Sequence, residues 1–396
     1  MKSEHSLKVG LIHKNVATTE SSLGGGGDVF LIYLIRALKE LGHYVLLSVI
    51  KPTPWDTIEK DLGWVYKPDL EILRFSPSII DRAKLLKQFI PSPHIKMLKY
   101  KCDLTFNTYG DNLFWNTDII YMHTPLTKDE LSAKYQRNAL SRLYYKVYAS
   151  MAKKAKRKLK TLILTNSYYS KRIIDDTFGL LSKVIYPPID TKFYKRALNE
   201  NGNRQNYVVT VARLTRERNL EIIPELAQRV KGAIFHIIGS TVLPEASEVI
   251  KSIKKKALEL NVADKVKIHT NLPSMLRLKI MAKSKVYLNT LREEHFGMAI
   301  AEAMSAGLAP IVPNDGGQVE IVPSSEYLYH DLEEAALKIE EWLSKWTPER
   351  GLQLSQAAEK FSYERFKREI NESIIIVKHF KEGANIENSS DDAYIQ

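Results

Sequence analysis

Two carboxylates, Glu294 and Glu302, are separated by seven residues in the run Glu294-His295-Phe296-Gly297-Met298-Ala299-Ile300-Ala301-Glu302. Ahead of them, Lys285-Val286-Tyr287-Leu288-Asn289 reads as a short buried strand. Behind them, Met298 to Ala306 holds good helix formers and Gly307 stands as a stop. This spacing predicts Glu294 on a loop at a strand's C-terminal edge and Glu302 about one turn inside a helix. The first N–H groups of that helix lack partners, and such groups suit a diphosphate. Arg213 and Arg218 follow another predicted strand, Tyr207 to Val211, where two guanidiniums can grip a diphosphate and stabilise a departing charge. Arg216 between them reads as solvent-facing charge.

The first predicted strand, Leu7 to Ile12, leads into Leu23-Gly24-Gly25-Gly26-Gly27-Asp28. Gly25 and Gly26 let the backbone approach an anion or a sugar oxygen closely. The run is not G-x-G-x-x-G, and Val49-Ile50-Lys51 stands where a dinucleotide fold places its ribose-binding acid, which counts against a dehydrogenase. His123 ends the strand Asp118–Met122 and is a candidate for the same cleft. Glu320, in Gly316-Gly317-Gln318-Val319-Glu320, is a further candidate sugar or hydroxyl ligand. No metal-ligand cluster and no G-x-x-x-x-G-K-[ST] phosphate loop is visible.

The elements that must position these residues alternate between strand and helix in two halves. That pattern predicts parallel sheets covered on both faces, facing each other across a cleft. At 396 residues, two domains are the default. The double proline of Tyr186-Pro187-Pro188-Ile189-Asp190 and the polar run Asn199–Asn206 mark the connection. We expect an N-terminal domain over 1–188, a C-terminal domain over 189–365, a helix over 366–383 returning to the first domain, and a disordered tail over 384–396.

The chain is 44% apolar and 26% charged, as ordinary globular proteins are, with a single cysteine, Cys102. No secretory leader and no run of eighteen apolar residues is seen, so a cytoplasmic setting is expected. The net charge of +12 is uneven: Leu131 to Ile174 holds twelve Lys and Arg and no Asp or Glu. Lys153-Lys154-Ala155-Lys156-Arg157-Lys158 and Arg82 to Ile90 mix cations with apolar residues, which suits peripheral contact with an anionic membrane. Nucleic acid is the weaker partner class, since no recognised binding module accompanies the charge.

Together with Thr165-Asn166-Ser167 and Ile238-Gly239, these pieces resemble the family-4 retaining glycosyltransferases of the GT-B fold, in order and over most of the chain. The four glycines and Glu294-His295-Phe296-Gly297 are most similar to dolichol-pathway α-1,2-mannosyltransferases. The resemblance implies two Rossmann-like domains and a nucleotide diphosphate sugar held mainly by the second. It implies that Arg213 and Arg218 take the diphosphate, Glu302 the ribose, and Glu294 with the Phe296–Met298 backbone (Phe296, Gly297, Met298) the donor sugar. His123 would approach that sugar, with Gly25 and Gly26 beside the phosphate and acceptor. It further implies retained anomeric configuration, no resident cofactor or metal, and a lipid-linked or glycan acceptor. Arg218 stands where the family usually has Lys, and Asp28-Val29 replaces its common acidic–basic pair. The readings left open are a uridine-dependent glucosyl- or N-acetylglucosaminyl-transferase, a GT-B sugar-nucleotide epimerase, and a non-enzymatic binding scaffold.

Overall fold

The computed structural model describes residues 6–19, 22–73, 93–108, 110, 116–125, 160–199 and 204–383. The basic segments Arg82–Ile90 and Lys153–Lys158 and the 384–396 tail lie outside them. Among the described residues, no helix is long and apolar enough to cross a membrane.

Two parallel sheets organise the chain. The first contains β1 (Lys8–Ile12), β2 (Tyr44–Val49), β3 (Leu70–Leu73), β4 (Leu104–Asn107), β5 (Ile119–Met122), β6 (Leu162–Thr165) and β7 (Lys183–Val184), in the order β3-β2-β1-β4-β5-β6-β7. The second contains β8 (Tyr207–Arg213), β9 (Ile234–Ser240), β10 (Val266–Thr270), β11 (Val286–Leu288), β12 (Ala309–Pro313) and β13 (Leu328–Tyr329), in the order β10-β9-β8-β11-β12-β13. Every residue of β5, β6 and β12 is buried, as expected for parallel strands covered on both faces. In each sheet the strand order reverses beside the first strand, between β1 and β4 and between β8 and β11, which opens a crevice at the C-terminal edge. The doubly wound α/β class expected from the alternation is the class observed.

Part of the glycine run Gly24–Gly27 lies inside a helix rather than in a loop. The helix begins at Gly26 and runs to Glu40, because the Gly25 carbonyl already accepts from Asp28 N and Val29 N, both at 3.1 Å. A 3-10 turn over Leu220–Ile222 precedes an α-helix over Ile223–Arg229, with Pro224 in its first turn, where a missing N–H costs nothing.

Two apolar cores follow the two sheets. One gathers residues from Ile189 to Phe361. The other joins the N-terminal strands to Tyr363, Phe366, Ile370, Ile374 and Val377 of the last helix, Tyr363–Glu382. The chain therefore crosses between domains twice, side by side: Ile189 N donates to Phe361 O at 2.9 Å and Tyr363 N to Ile189 O at 3.0 Å. The fully buried Phe366 ring meets Phe30 edge-on at 5.4 Å. Phe366→Ala should cost about 3–5 kcal/mol through lost burial and the cavity left behind. Urea unfolding followed by circular dichroism checks this; a loss under about 1 kcal/mol would mean the helix is not a working part of the first core.

Candidate functional site

Between the C-terminal edges of the two sheets lies a cleft of about 550 Å3. Strand ends deliver its polar lining: His13 after β1, Thr108 after β4, His123 after β5, Arg213 at the end of β8 and Asn289 after β11. Two helices point their N-termini into it. One starts at Gly26, the other at Met298 and runs to Ser305. Neither has a side-chain cap, since Gly25 and Gly297 occupy the N-cap positions. Helix starts are usually satisfied by Ser, Thr, Asp or Asn, so both leave N–H groups and the positive end of the helix dipole to the cleft. The two starts touch: a Cβ on Gly26 would lie 3.1 Å from Met298 Sδ, whereas Gly25 faces open space. Gly297 holds a left-handed φ of 100°, and a Cβ there would meet Ile300 Cδ1 at 2.5 Å, so this turn demands glycine.

Of the residues singled out by the sequence, all but Glu320 line or border this cleft. Glu294 accepts from Arg218 Nη1, and both side chains are largely buried. Arg218 is anchored through its carbonyl, which accepts from Thr290 Oγ1 at 2.6 Å, and its buried Nε has no hydrogen-bond partner among the described residues. Arg213 Nη2 donates to Glu217 at 3.0 Å, while Arg216 pairs with Glu248 on the exposed surface. Phe296 contributes main chain only. Its ring is 2% exposed and packs between Tyr186 and Phe361. Burial pushes the Glu302 carboxyl up, opposed by Arg277 and by a hydrogen bond from Tyr194.

Glu320 is a correction. It is not in the cleft lining but caps the helix Tyr168–Phe178 from outside, accepting from Tyr168 N at 2.9 Å, Tyr169 N at 2.8 Å and Tyr186 Oη at 3.2 Å. Its three partners leave it no role as a sugar ligand.

Several cleft residues were not among those singled out by the sequence. His13 meets Thr108 Oγ1 at 2.9 Å through Nδ1 and Asp28 Oδ1 at 3.3 Å through Nε2. Thr108 Oγ1 in turn donates to Ile12 O at 3.1 Å, which ties this group to the end of β1. Tyr33, Asp61, Asp190, Tyr194, Ser274 and Arg277 form a second polar group in the cleft. A histidine straight after a first strand was the one legible hint; the others act across more than a hundred residues.

His123 sits against Phe30 and Tyr121, with ring centroids at 4.9 and 4.7 Å, and its Nε2 has no partner among the described residues. Burial pushes its pKa down to about 3, the nearby His13 adding to the fall and a hydrogen bond with the Thr108 backbone opposing it. His123 is thus neutral in the folded protein at ordinary pH. Below about 6.5, the ordinary histidine value, the unfolded chain takes up a proton that the folded chain refuses. Stability therefore falls as pH drops from 6.5 towards 3. Between pH 7 and pH 5 the native chain should lose about 2 kcal/mol more than His123→Gln, from about 1.4 kcal/mol per pH unit. Urea midpoints of both proteins at the two pH values check it, and equal losses would place a charged imidazole in the fold.

Comparison with known proteins agrees with this frame. Residues 190–361 match the family described as Glycosyl transferases group 1. A GDP-Man:Man(3)GlcNAc(2)-PP-Dol alpha-1,2-mannosyltransferase of Dictyostelium discoideum is 23% identical over 387 residues, covering 81% of this chain and 75% of that protein. An alpha-1,3/1,6-mannosyltransferase of Kluyveromyces lactis is 25% identical over 246 residues, 52% of this chain; the match spans about half of that relative's length (47%). Among solved structures, Anabaena Alr3699/HepE in complex with UDP-glucose superposes with a TM-score of 0.68 at 15% identity, covering 93% of this chain and 99% of that one. Sucrose-phosphate synthase from Thermosynechococcus elongatus gives 0.67 at 16% identity, covering 93% and 98%. With its two doubly wound domains and the cleft between them, the chain has the GT-B fold and carries a Glycosyl transferases group 1 domain over residues 190–361.

Proposed function

We propose that the chain is a retaining hexosyltransferase that moves mannose from GDP-mannose to a lipid-linked or glycan acceptor. The observation that carries a diphosphate-sugar donor is the pair of uncapped helix starts, at Gly26 and Met298, meeting across one cleft beside Arg213 and Arg218. Four sources of positive potential converge there, and on this reading they stabilise the leaving diphosphate. The mannosyl choice is supported by the two mannosyltransferase relatives. A uridine donor is the second reading, favoured by the HepE fold bound to UDP-glucose.

In this reading Arg213 and Arg218 hold the diphosphate, Glu302 accepts from ribose hydroxyls, and Glu294 with the Phe296–Met298 main chain orients the sugar. Neutral His123 offers its unpartnered Nε2 to a sugar hydroxyl. No side chain serves as covalent nucleophile; the acceptor oxygen attacks on the face the diphosphate leaves, and a departing phosphate oxygen takes its proton. The new C–O bond and the broken one then share a face, so configuration is retained. The proposal includes peripheral contact with the cytoplasmic face of an anionic membrane through the basic segments.

Calorimetric titration with GDP, UDP, GDP-mannose, UDP-glucose and UDP-N-acetylglucosamine, without added metal, tests the donor. Saturable binding of the guanosine series alone is expected; binding of the uridine series alone would overturn the mannosyl reading in favour of the second. Binding of none would remove the transferase reading. Glu302→Gln should weaken nucleotide affinity about tenfold, the scale of a hydrogen bond to a charged group; unchanged affinity and turnover would remove its ribose role. Replacing Lys153, Lys154, Lys156 and Arg157 together with Ser should reduce co-sedimentation with phosphatidylserine vesicles. Unchanged sedimentation would discard the membrane contact.

A further inference from the structure

Asp61 ends the helix Trp55–Leu62 of the N-terminal domain, yet its bonds go elsewhere. Its side chain is fully buried. Oδ1 accepts from Ser274 N at 2.8 Å and Ser274 Oγ at 2.7 Å, and lies 3.5 Å from Arg277 Nη2. Oδ2 accepts from Leu23 N at 2.8 Å. Ser274 opens the helix Ser274–Lys283 of the other domain, whose own N-cap position is Pro273 with no side-chain cap. A carboxylate of one domain thus caps a helix of the other, and its second oxygen holds the residue just before Gly24–Gly27. Arg277, on the capped helix, is the opposite charge that faces Glu302.

We infer that Asp61 is a positioning residue for transfer, tying the glycine loop to the capped helix so that a nucleotide seated at Glu302 also brings the loop amides into register. This rests on the nucleotide-sugar reading above. A buried carboxylate is tolerated only when its lone pairs are filled, and here the donors come from two separate elements, the segment before the glycines and the Ser274 helix, one in each domain. The link therefore cannot shift at one end without stranding a charge at the other. Asparagine keeps the size but has one acceptor oxygen. Turned to serve Ser274, it presents an N–H to Leu23 N–H and breaks the loop link alone.

Amide hydrogen exchange of residues 22–28 would be followed with and without GDP and UDP, in the native chain, Asp61→Asn and Ser274→Ala. Nucleotide affinity would be measured on the same samples. In the native chain nucleotide should slow exchange of the loop about tenfold, within the usual range of coupling between sites. Asp61→Asn should lose the loop protection and weaken affinity by no more than about the same tenfold, because Glu302, Arg213 and Arg218 remain to hold the nucleotide. Protection equal to native would overturn the inference. So would affinity lost well beyond that factor, since Asp61 would then serve the donor site itself. Ser274→Ala removes a single hydroxyl donor and reads the same split should Asp61→Asn fail to fold. Nucleotide that binds without protecting the native loop defeats this inference alone; failure of the native chain to bind GDP or UDP defeats the functional reading first.

Discussion

The site depends on backbone N–H groups left without partners at two helix starts. Gly25 and Gly297 occupy positions where Ser, Thr, Asp or Asn would contribute about 1 kcal/mol each through a side-chain bond. Other helices of the chain do have such bonds: Ser167 accepts from Ser170 N, Asp331 from Glu334 N and Thr347 from Arg350 N. Omission at the two starts that share a cleft gives the protein polar groups that an anion completes. Because these donors belong to the backbone, they are fixed before a ligand arrives and need little reorganisation when charge develops.

The joint between the domains uses the same chemistry in the opposite sense. Asp61 caps the Ser274 helix and Glu320 the Tyr168 helix, each from the other domain, and Asp190 at the crossing takes Tyr33 Oη at 3.3 Å. Carboxylates that cap across a boundary pair charge with dipole, where two apolar surfaces would be indifferent to small slides. Such contacts are directional, so they define how the sheet edges face each other and hence the width of the cleft. The paired crossings at Ile189 and Ser362 keep the pivot narrow, with both connections bonded as one short parallel bridge.

Alternation of strand and helix made the fold class legible, because apolar runs such as Ile119–Met122 and Ala309–Pro313 have no amphipathic reading and must be covered on both faces. The short edge strand Leu70–Leu73, exposed at both ends, escaped that logic. Residues of the site were readable where their spacing was local, as in Glu294 and Glu302 around a helix start. Asp61 and Ser274 were not, since 213 residues separate them and each alone is an ordinary polar residue. Glu320 was misplaced because a carboxylate near a glycine turn looks the same whether it meets a sugar or the N-terminus of a distant helix.

Arginine at position 218 follows from the geometry around it. Its Nη1 is engaged by Glu294, and its carbonyl is tied to Thr290, so the side chain enters the cleft from a restrained base. A lysine has one compact ammonium, and holding Glu294 would compete directly with holding a phosphate. A guanidinium presents five donors in a rigid plane, so on the proposed reading one edge would stay on the carboxylate while Nε, which has no hydrogen bond among the described residues and lies 4.0 Å from Glu217, would be left for a phosphate oxygen. With that division Glu294 would stay oriented if a diphosphate bound there, and the two charges would not be buried apart. The pair tolerates burial on both sides because each charge has the other as its counter-charge.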